Sequence, residues 1–171
     1  MKVLGIVALS CVVVPLIPAV TRPSDDGFVV RSVVQPASGG VALHWAVVGA
    51  HRRLEQPACR GLFAEFSDAS GRTLQENLDA LGETGGTHLA QILFADGSGR
   101  RRCQGNEAFA FTTPGSRVVY VCGRAFKDLA NRSPVKAQAI VIHEALHTLG
   151  LGENPPSSSE ITARVLARCQ S

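Results

Sequence analysis

The chain has 171 residues and a formal net charge of +3, with hydrophobic residues at 45% and charged residues at 18%. This length allows one domain, and the composition is that of a folded globular protein rather than of a disordered segment. The small net charge gives no sign of the strongly basic surface that binds nucleic acid, so no nucleic-acid partner is expected.

Residues 1–19 have the pattern of a secretory signal peptide. Lys2 gives a positive start, and residues 3–20 carry no charge before the chain turns polar. The alternative is an uncleaved N-terminal membrane anchor, because an apolar stretch of this length approaches the minimum for a span. Its two prolines favour the signal peptide. We therefore predict a secreted or periplasmic protein, in which residues 20–171 form a single domain.

The rest of the chain mixes helical and strand patterns. Apolar residues at helical spacing predict helices over 52–68, 73–82, 131–150 and 157–169. β-branched or alternating runs predict strands over 27–35 and 87–99 and a hairpin over 107–123. The run at 39–49 fits either a strand or a short helix. The predicted fold class is α+β, with a mixed or antiparallel sheet packed on a buried central helix.

Four cysteines lie outside the predicted signal peptide: Cys59, Cys103, Cys122 and Cys169. An even number in an exported chain indicates two disulfides, for which three connectivities are possible. If the hairpin strands pair, Cys103 comes close to Cys122. The hairpin thus favours Cys103–Cys122 and leaves Cys59 to pair with Cys169.

The central helix carries the chemistry, within the sequence VIHEALHTLGLGENPP at 141–156. His143 and His147 are four residues apart and share one helix face, so both imidazoles can reach one metal ion. Glu144 lies roughly 100° round the helix, where a carboxylate can take a proton from a metal-activated water. The alternative is a buried helix with two hydrogen-bonded histidines. Because the remainder of the helix is apolar, burying these polar groups without a ligand would be costly, which favours a metal.

The motif His143-Glu144-x-x-His147 resembles the signature of the zincin metalloproteases. The resemblance covers residues 134–160 and implies that the two histidines bind Zn²⁺ and that Glu144 is the general base. It also implies a small zincin-like domain in which a strand beside the active-site helix presents its edge to an extended substrate. The segment 117–123 is the candidate for that strand.

The third metal ligand has two candidates. In metzincins the signature continues through a glycine to a further ligand, and these positions fall on Gly150 and Glu153. Glutamate is not the usual residue there, and Met1 is the only methionine, so a Met-turn is missing. In gluzincins the third ligand is a glutamate on a later helix, which corresponds to Glu160. Because Ser157 and Glu160 also form a capping-box pattern, Glu153 is the favoured ligand and Glu160 the alternative.

These features predict an exported zinc-dependent metallopeptidase, a hydrolase that cleaves peptide bonds by a zinc-activated water with Glu144 as general base. Its partner would be a peptide or protein substrate, with no membrane contact beyond the possible anchor. One alternative is a non-enzymatic exported binding domain with a structural metal. Another is a zinc hydrolase acting on a non-peptide amide. The sequence indicates no oligomeric state, substrate preference or physiological role.

Several other residues receive structural interpretations. Tyr120 could stabilise an oxyanion, but packing in a strand is the simpler role. His44 and His88 are interpreted as strand-surface or hydrogen-bonded core residues, and Trp45 as a core residue. The basic run 100–102 is interpreted as a solvated loop rather than a phosphate site.

Overall fold

The computed structural model describes residues 28–105 and 108–170, which form an α+β fold. The predicted signal peptide lies outside the described residues. The helices are α1 Gly40–Leu54, α2 Pro57–Arg60, α3 Leu74–Leu81, α4 Gly85–Gln91, α5 Arg101–Gln104, α6 Gly123–Arg132, α7 Pro134–Thr148 and α8 Ser158–Cys169. The strands are β1 Leu93–Asp96, β2 Ala110–Phe111 and β3 Val118–Val121, and short 3₁₀ turns cover Pro36–Ser38 and Gly61–Ala64.

The three strands form one small mixed sheet in the order β1-β3-β2. The predicted hairpin is confirmed, because β2 pairs antiparallel with β3 and places Ala110 opposite Val121. However, β1 pairs parallel with the other side of β3. The expectation that segment 117–123 offers a free edge is therefore wrong, since both sides of β3 are hydrogen-bonded. Of the described strands, β2 lies at one edge of the sheet, and it contacts the central helix.

The two remaining strand predictions hold only in part. Residues 27–35 were expected to form a strand, but the described part is extended and joins β1 through a single bridge between Ser32 and Phe94. The predicted strand 87–99 is helical in its first half, as α4, and becomes β1 from Leu93. A reciprocal cap between Thr84 and Thr87 starts this helix, which the alternating apolar pattern did not reveal.

The run at 39–49 is the start of α1, and Trp45 on that helix is 63% exposed. The prediction of a core tryptophan is therefore wrong. Leu43, Val47 and Leu54 are buried at helical spacing on the inward face, and Trp45 projects from the other side. His44 is likewise exposed.

Helix α7 is the centre of the core and contacts α1, α6 and α8. Its start follows from sequence: the Ser133 hydroxyl accepts a hydrogen bond from the Lys136 amide, and Pro134 occupies the first turn. Its end is set by Gly150, whose φ of +106° is a left-handed value that a residue with a Cβ adopts at a cost. Local sequence features therefore define both ends of the helix without help from tertiary contacts.

Two disulfides cross-link the structure, Cys59–Cys169 and Cys103–Cys122. This is the connectivity that the predicted hairpin favoured. The first ties α2 to the end of α8, and the second ties α5 to the residue that follows β3. Such a pair suggests folding in an oxidising, exported environment. Among the helices of residues 28–105 and 108–170, none is both long and apolar enough to cross a membrane.

Candidate metal centre

The two histidines of α7 converge on one point. His143 and His147 are buried, and their Nε2 atoms lie 2.9 Å apart. The four-residue spacing puts the imidazoles one helical turn apart on the same face. Two ring nitrogens so close together, in the buried half of the helix, form the start of a ligand set.

The far side of each imidazole is held by a hydrogen bond. Nδ1 of His147 donates to the carbonyl oxygen of Leu151 at 2.7 Å, and Nδ1 of His143 lies 2.9 Å from the hydroxyl of Thr162 on α8. A carbonyl only accepts, so the neutral His147 ring carries its proton on Nδ1 and leaves a lone pair on Nε2. This is the arrangement by which outer partners orient metal-binding histidines.

Glu153 returns to the histidines through the turn that ends α7. Its Oε1 atom lies 3.4 Å from Nε2 of His147 and 3.7 Å from Nε2 of His143. The candidate ligand atoms of these three residues all lie within 4.8 Å of one another, so the group could hold a metal ion. The structure therefore brings Glu153, the favoured third candidate, to the two histidines.

Glu160 is occupied elsewhere. Its Oε2 accepts hydrogen bonds from the backbone amide of Ser157 at 2.8 Å and from the Ser157 hydroxyl at 2.6 Å. The Ser157 hydroxyl in turn accepts from the Glu160 amide, which completes a capping box at the start of α8. Glu160 is thus not part of the candidate metal group.

Residues that are distant in sequence hold the turn that carries Glu153 in place. Asn77 on α3 donates to the Leu149 carbonyl at 2.9 Å and to Oδ2 of Asp68 at 2.9 Å. Asp68 itself pairs with Leu151 through an isolated β-bridge. These contacts connect the loop before α3 to the turn after α7, and so they position the acidic ligand candidate.

Glu144 is the remaining polar residue of this helix segment. It is buried, and its Oε2 atom has no hydrogen-bond partner among the described residues. Burial raises its pKa to about 8, and the negative charge of Glu153 acts in the same direction. A cation between the histidines would act in the opposite direction, because positive charge favours the carboxylate.

The electrostatics of the histidines suit a ligand role. Burial lowers the pKa of His143 to about 4, and the neighbouring His147 also disfavours the charged form. The ring is therefore neutral near pH 7, and metal binding requires a neutral imidazole. This supports the fit of the site to a metal ion without identifying which ion.

A pocket of about 700 Å³ opens over this group. The two histidines, Glu144 and Glu153 are among the residues that line it. Further lining comes from apolar residues of β2, α7 and the segments beside β2, including Phe109, Phe111 and Ile140, and from two arginines of α5, Arg101 and Arg102. The residues that could bind a metal are thus accessible to a molecule of substantial size.

Sequence reasoning missed several of these residues. Thr162, Asp68 and Asn77 reach the site only through tertiary contacts, and no local pattern marks them. The arginines of the run 100–102 were interpreted as a solvated loop, but Arg101 and Arg102 are exposed on α5 and line the pocket. Tyr120 does not line it. His88 is a hydrogen-bonded core residue, one of its two predicted roles.

Taken together, the chain defines an α+β domain with a His/His/Glu group that could hold a metal ion beneath an open pocket. No protein-family model, curated protein sequence or solved structure matches the chain.

Proposed function

We propose that this protein is an exported zinc-dependent metallopeptidase that hydrolyses peptide bonds with Glu144 as general base. The observation that carries the proposal is the buried Glu144 carboxylate. One of its oxygens has no partner among the described residues, and it lines the same pocket as the His143–His147–Glu153 group. A buried unpartnered polar atom is costly unless a ligand or reaction uses it.

The ligand set fits zinc in a catalytic role. His143, His147 and Glu153 would hold the ion, and two imidazoles with one carboxylate are a donor set that catalytic zinc takes while keeping a position for water or substrate. With Glu160 bound in its capping box, the candidate group among the described residues has three protein ligands and no fourth to close the site. A bound ion supplies Lewis acidity, which lowers the pKa of water and polarises a carbonyl.

Glu144 and the pocket supply the remaining steps. The Glu144 carboxylate accepts the proton of the attacking water and then donates it to the leaving amine, so one residue acts first as base and then as acid. The apolar wall that includes Phe109 and Ile140 limits the water around the reacting carbonyl. The resemblance of His143-Glu144-x-x-His147 to the zincin signature supports the same assignment.

Export is supported by two independent features. The pattern of residues 1–19 is that of a signal peptide. The two disulfides are typical of chains that fold outside a reducing compartment.

The proposal is tested by metal content and hydrolysis together. The purified protein should contain about one zinc per chain, and it should cleave an unstructured protein such as casein until a chelator removes the metal. Glu144→Gln should retain zinc and lose hydrolysis, whereas Glu160→Gln should keep both. Zinc without hydrolysis in the wild-type protein would rule out a peptidase and leave a metal-binding domain.

A further inference from the structure

The pocket over the candidate metal group has a basic wall. Arg101 and Arg102, from the single turn of α5, are exposed and line it. Within residues 28–105 and 108–170, neither guanidinium forms an ion pair with a carboxylate. Two cations that face a pocket without an anionic partner are poised for an anionic ligand.

Aromatic side chains hold the neighbouring guanidinium groups in place. The guanidinium carbon of Arg102 lies 5.6 Å from the centre of the Phe111 ring, which belongs to the pocket wall. Phe111 stacks on Tyr120, whose ring lies beneath the guanidinium of Arg100. A cation–π contact of this kind restrains the Arg102 guanidinium beside the pocket wall and uses none of its N–H groups, which remain available to a carboxylate.

The backbone of α5 is also anchored. The Cys103–Cys122 disulfide joins this turn to the end of β3, and the Arg100 amide donates to the carbonyl of Gly97 at 2.7 Å. A Cβ at Gly97 would lie only 3.1 Å from Sγ of Cys103, so glycine permits this close approach. The arginines are therefore presented by a fixed segment rather than by a free loop.

Neither acidic residue of the described pocket lining forms an ion pair with this wall, although the charge of Arg102 acts to lower the pKa of Glu144. Glu153 faces the two histidines. Glu144 is buried, with only 5% of its surface exposed. Among residues 28–105 and 108–170, the exposed charges on the α5 side of the pocket are thus positive, and a metal ion held by His143, His147 and Glu153 would add to them.

We propose that Arg101 and Arg102 bind a carboxylate of the substrate, so that the pocket selects peptides with acidic side chains beside the bond held at the candidate metal group. This inference rests on the proposed function, because the bound peptide is a substrate only if the protein is a peptidase. The recognition of an acidic peptide itself depends only on the basic wall.

Binding can be measured separately from hydrolysis with the full chain as Glu144→Gln, both zinc-loaded and metal-free. The probes are a fluorescein-labelled Ala-Glu repeat peptide and the matched Ala-Gln peptide, followed by fluorescence anisotropy at low ionic strength. We expect the acidic peptide to bind at least about tenfold more tightly than the Ala-Gln peptide. This factor corresponds to the lower end of the range of free energies that hydrogen bonds to charged groups contribute. The preference should persist without metal, because the arginines cause it.

The decisive variant is Arg101→Ala/Arg102→Ala in the same background, which should reduce the preference to about twofold or less. Arg124→Ala/Arg132→Ala on α6 is the matched control, since it removes the same charge from exposed positions outside the pocket. Thermal melts of both double variants show whether the fold is retained. If the arginine variant is unfolded, Arg102→Gln replaces it, because glutamine keeps part of the stem while removing the charge.

Three results would overturn the inference: equal binding of the two peptides, an acidic preference that survives loss of the arginines, or tighter binding of a single-stranded oligonucleotide of equal charge. Failure of the proposed function gives a different result. In that case the arginine-dependent preference is present, but the wild-type zinc protein cleaves neither peptide. If both proposals hold, the double variant raises KM for the acidic peptide and leaves kcat nearly unchanged.

Discussion

Nδ1 of His147 donates a hydrogen bond to the carbonyl oxygen of Leu151, at 2.7 Å. Leu151 belongs to the turn that leads to Glu153, two residues later. The same turn therefore orients one imidazole and returns the carboxylate to it. Gly150 makes this reversal possible with its positive φ, and Asn77 fixes it through the Leu149 carbonyl. The three candidate metal ligands therefore belong to one continuous segment, the end of α7 and the turn that follows it.

The first prediction separates the two glutamate candidates. Glu153→Ala should weaken zinc binding by at least about 100-fold, because it removes one of three protein ligands from the site. Glu160→Ala should leave zinc affinity unchanged and lower the thermal midpoint, because it removes one half of a capping box. Zinc affinity is measured by competition with a chromophoric chelator, and stability by circular dichroism. Loss of zinc binding in Glu160→Ala with retention in Glu153→Ala would reverse the assignment.

The sequence predicts the structure correctly wherever a local rule determines it. Ser133, Pro134 and Gly150 marked both ends of α7, and the hairpin brought Cys103 to Cys122. The spacing of the two histidines is itself local, because four residues are one helical turn. These features need no knowledge of what packs against them.

The remaining features depend on contacts distant in sequence. The pairing of β1 with β3 is parallel and requires a crossover, so no hairpin signal could reveal that β3 is central. Residue type alone predicts a buried Trp45, but burial on α1 depends on which face meets α7. The same holds for Thr162, which reaches His143 only after α8 docks. Outer partners of a site are thus the least predictable part of it.

The second prediction concerns Thr162 as a positioning residue. Its hydroxyl lies 2.9 Å from Nδ1 of His143, and Thr162→Val removes the oxygen while keeping the branched shape. The imidazole loses its orienting partner, so zinc affinity should fall about 10- to 100-fold. Thr162→Ser is the matched control, since it keeps the hydroxyl. Equal zinc affinity in the valine variant and the wild type would show that packing alone orients His143.

The third prediction compares the two disulfides. Cys59–Cys169 joins residues 110 apart, whereas Cys103–Cys122 joins residues 19 apart. Loss of loop-closure entropy in the unfolded chain predicts a stabilisation of about 5 kcal/mol for the longer loop and about 3 kcal/mol for the shorter. Paired Cys→Ser variants and urea unfolding measure both values. A larger loss for the Cys103–Cys122 pair would mean that native packing around α5, not chain entropy, sets the order.

The fourth prediction concerns His88, which is buried and held at both ring nitrogens. Nδ1 lies 2.7 Å from Oε2 of Glu83, and Nε2 lies 2.8 Å from the Thr148 hydroxyl. Arg117 donates to the same Glu83 carboxylate. Burial lowers the pKa of His88 below its usual 6.5, and this outweighs the opposing effect of Glu83.

The direction of the pH dependence follows from this shift. Below about pH 6.5 the unfolded chain binds a proton at His88 that the folded protein resists, so the free energy of unfolding decreases as the pH falls. The pKa of Glu83 is also lowered: burial acts to raise it, but the hydrogen bonds from His88 and Arg117 prevail. Its contribution is present above about pH 4.5 and is lost as the pH falls through its folded-state value. The two residues therefore act in successive pH windows, with His88 first.

Urea unfolding of the metal-free protein at a series of pH values between about 7 and 5 tests the role of His88. His88→Gln should make the pH dependence shallower, because it removes one group that protonates on unfolding. Comparing slopes rather than absolute stabilities separates this effect from the cost of the substitution itself. His44→Gln is the matched control for the substitution itself, since His44 is exposed on α1. An unchanged slope in His88→Gln would mean that His88 takes up its proton equally well in the folded protein, with Glu83 compensating for burial.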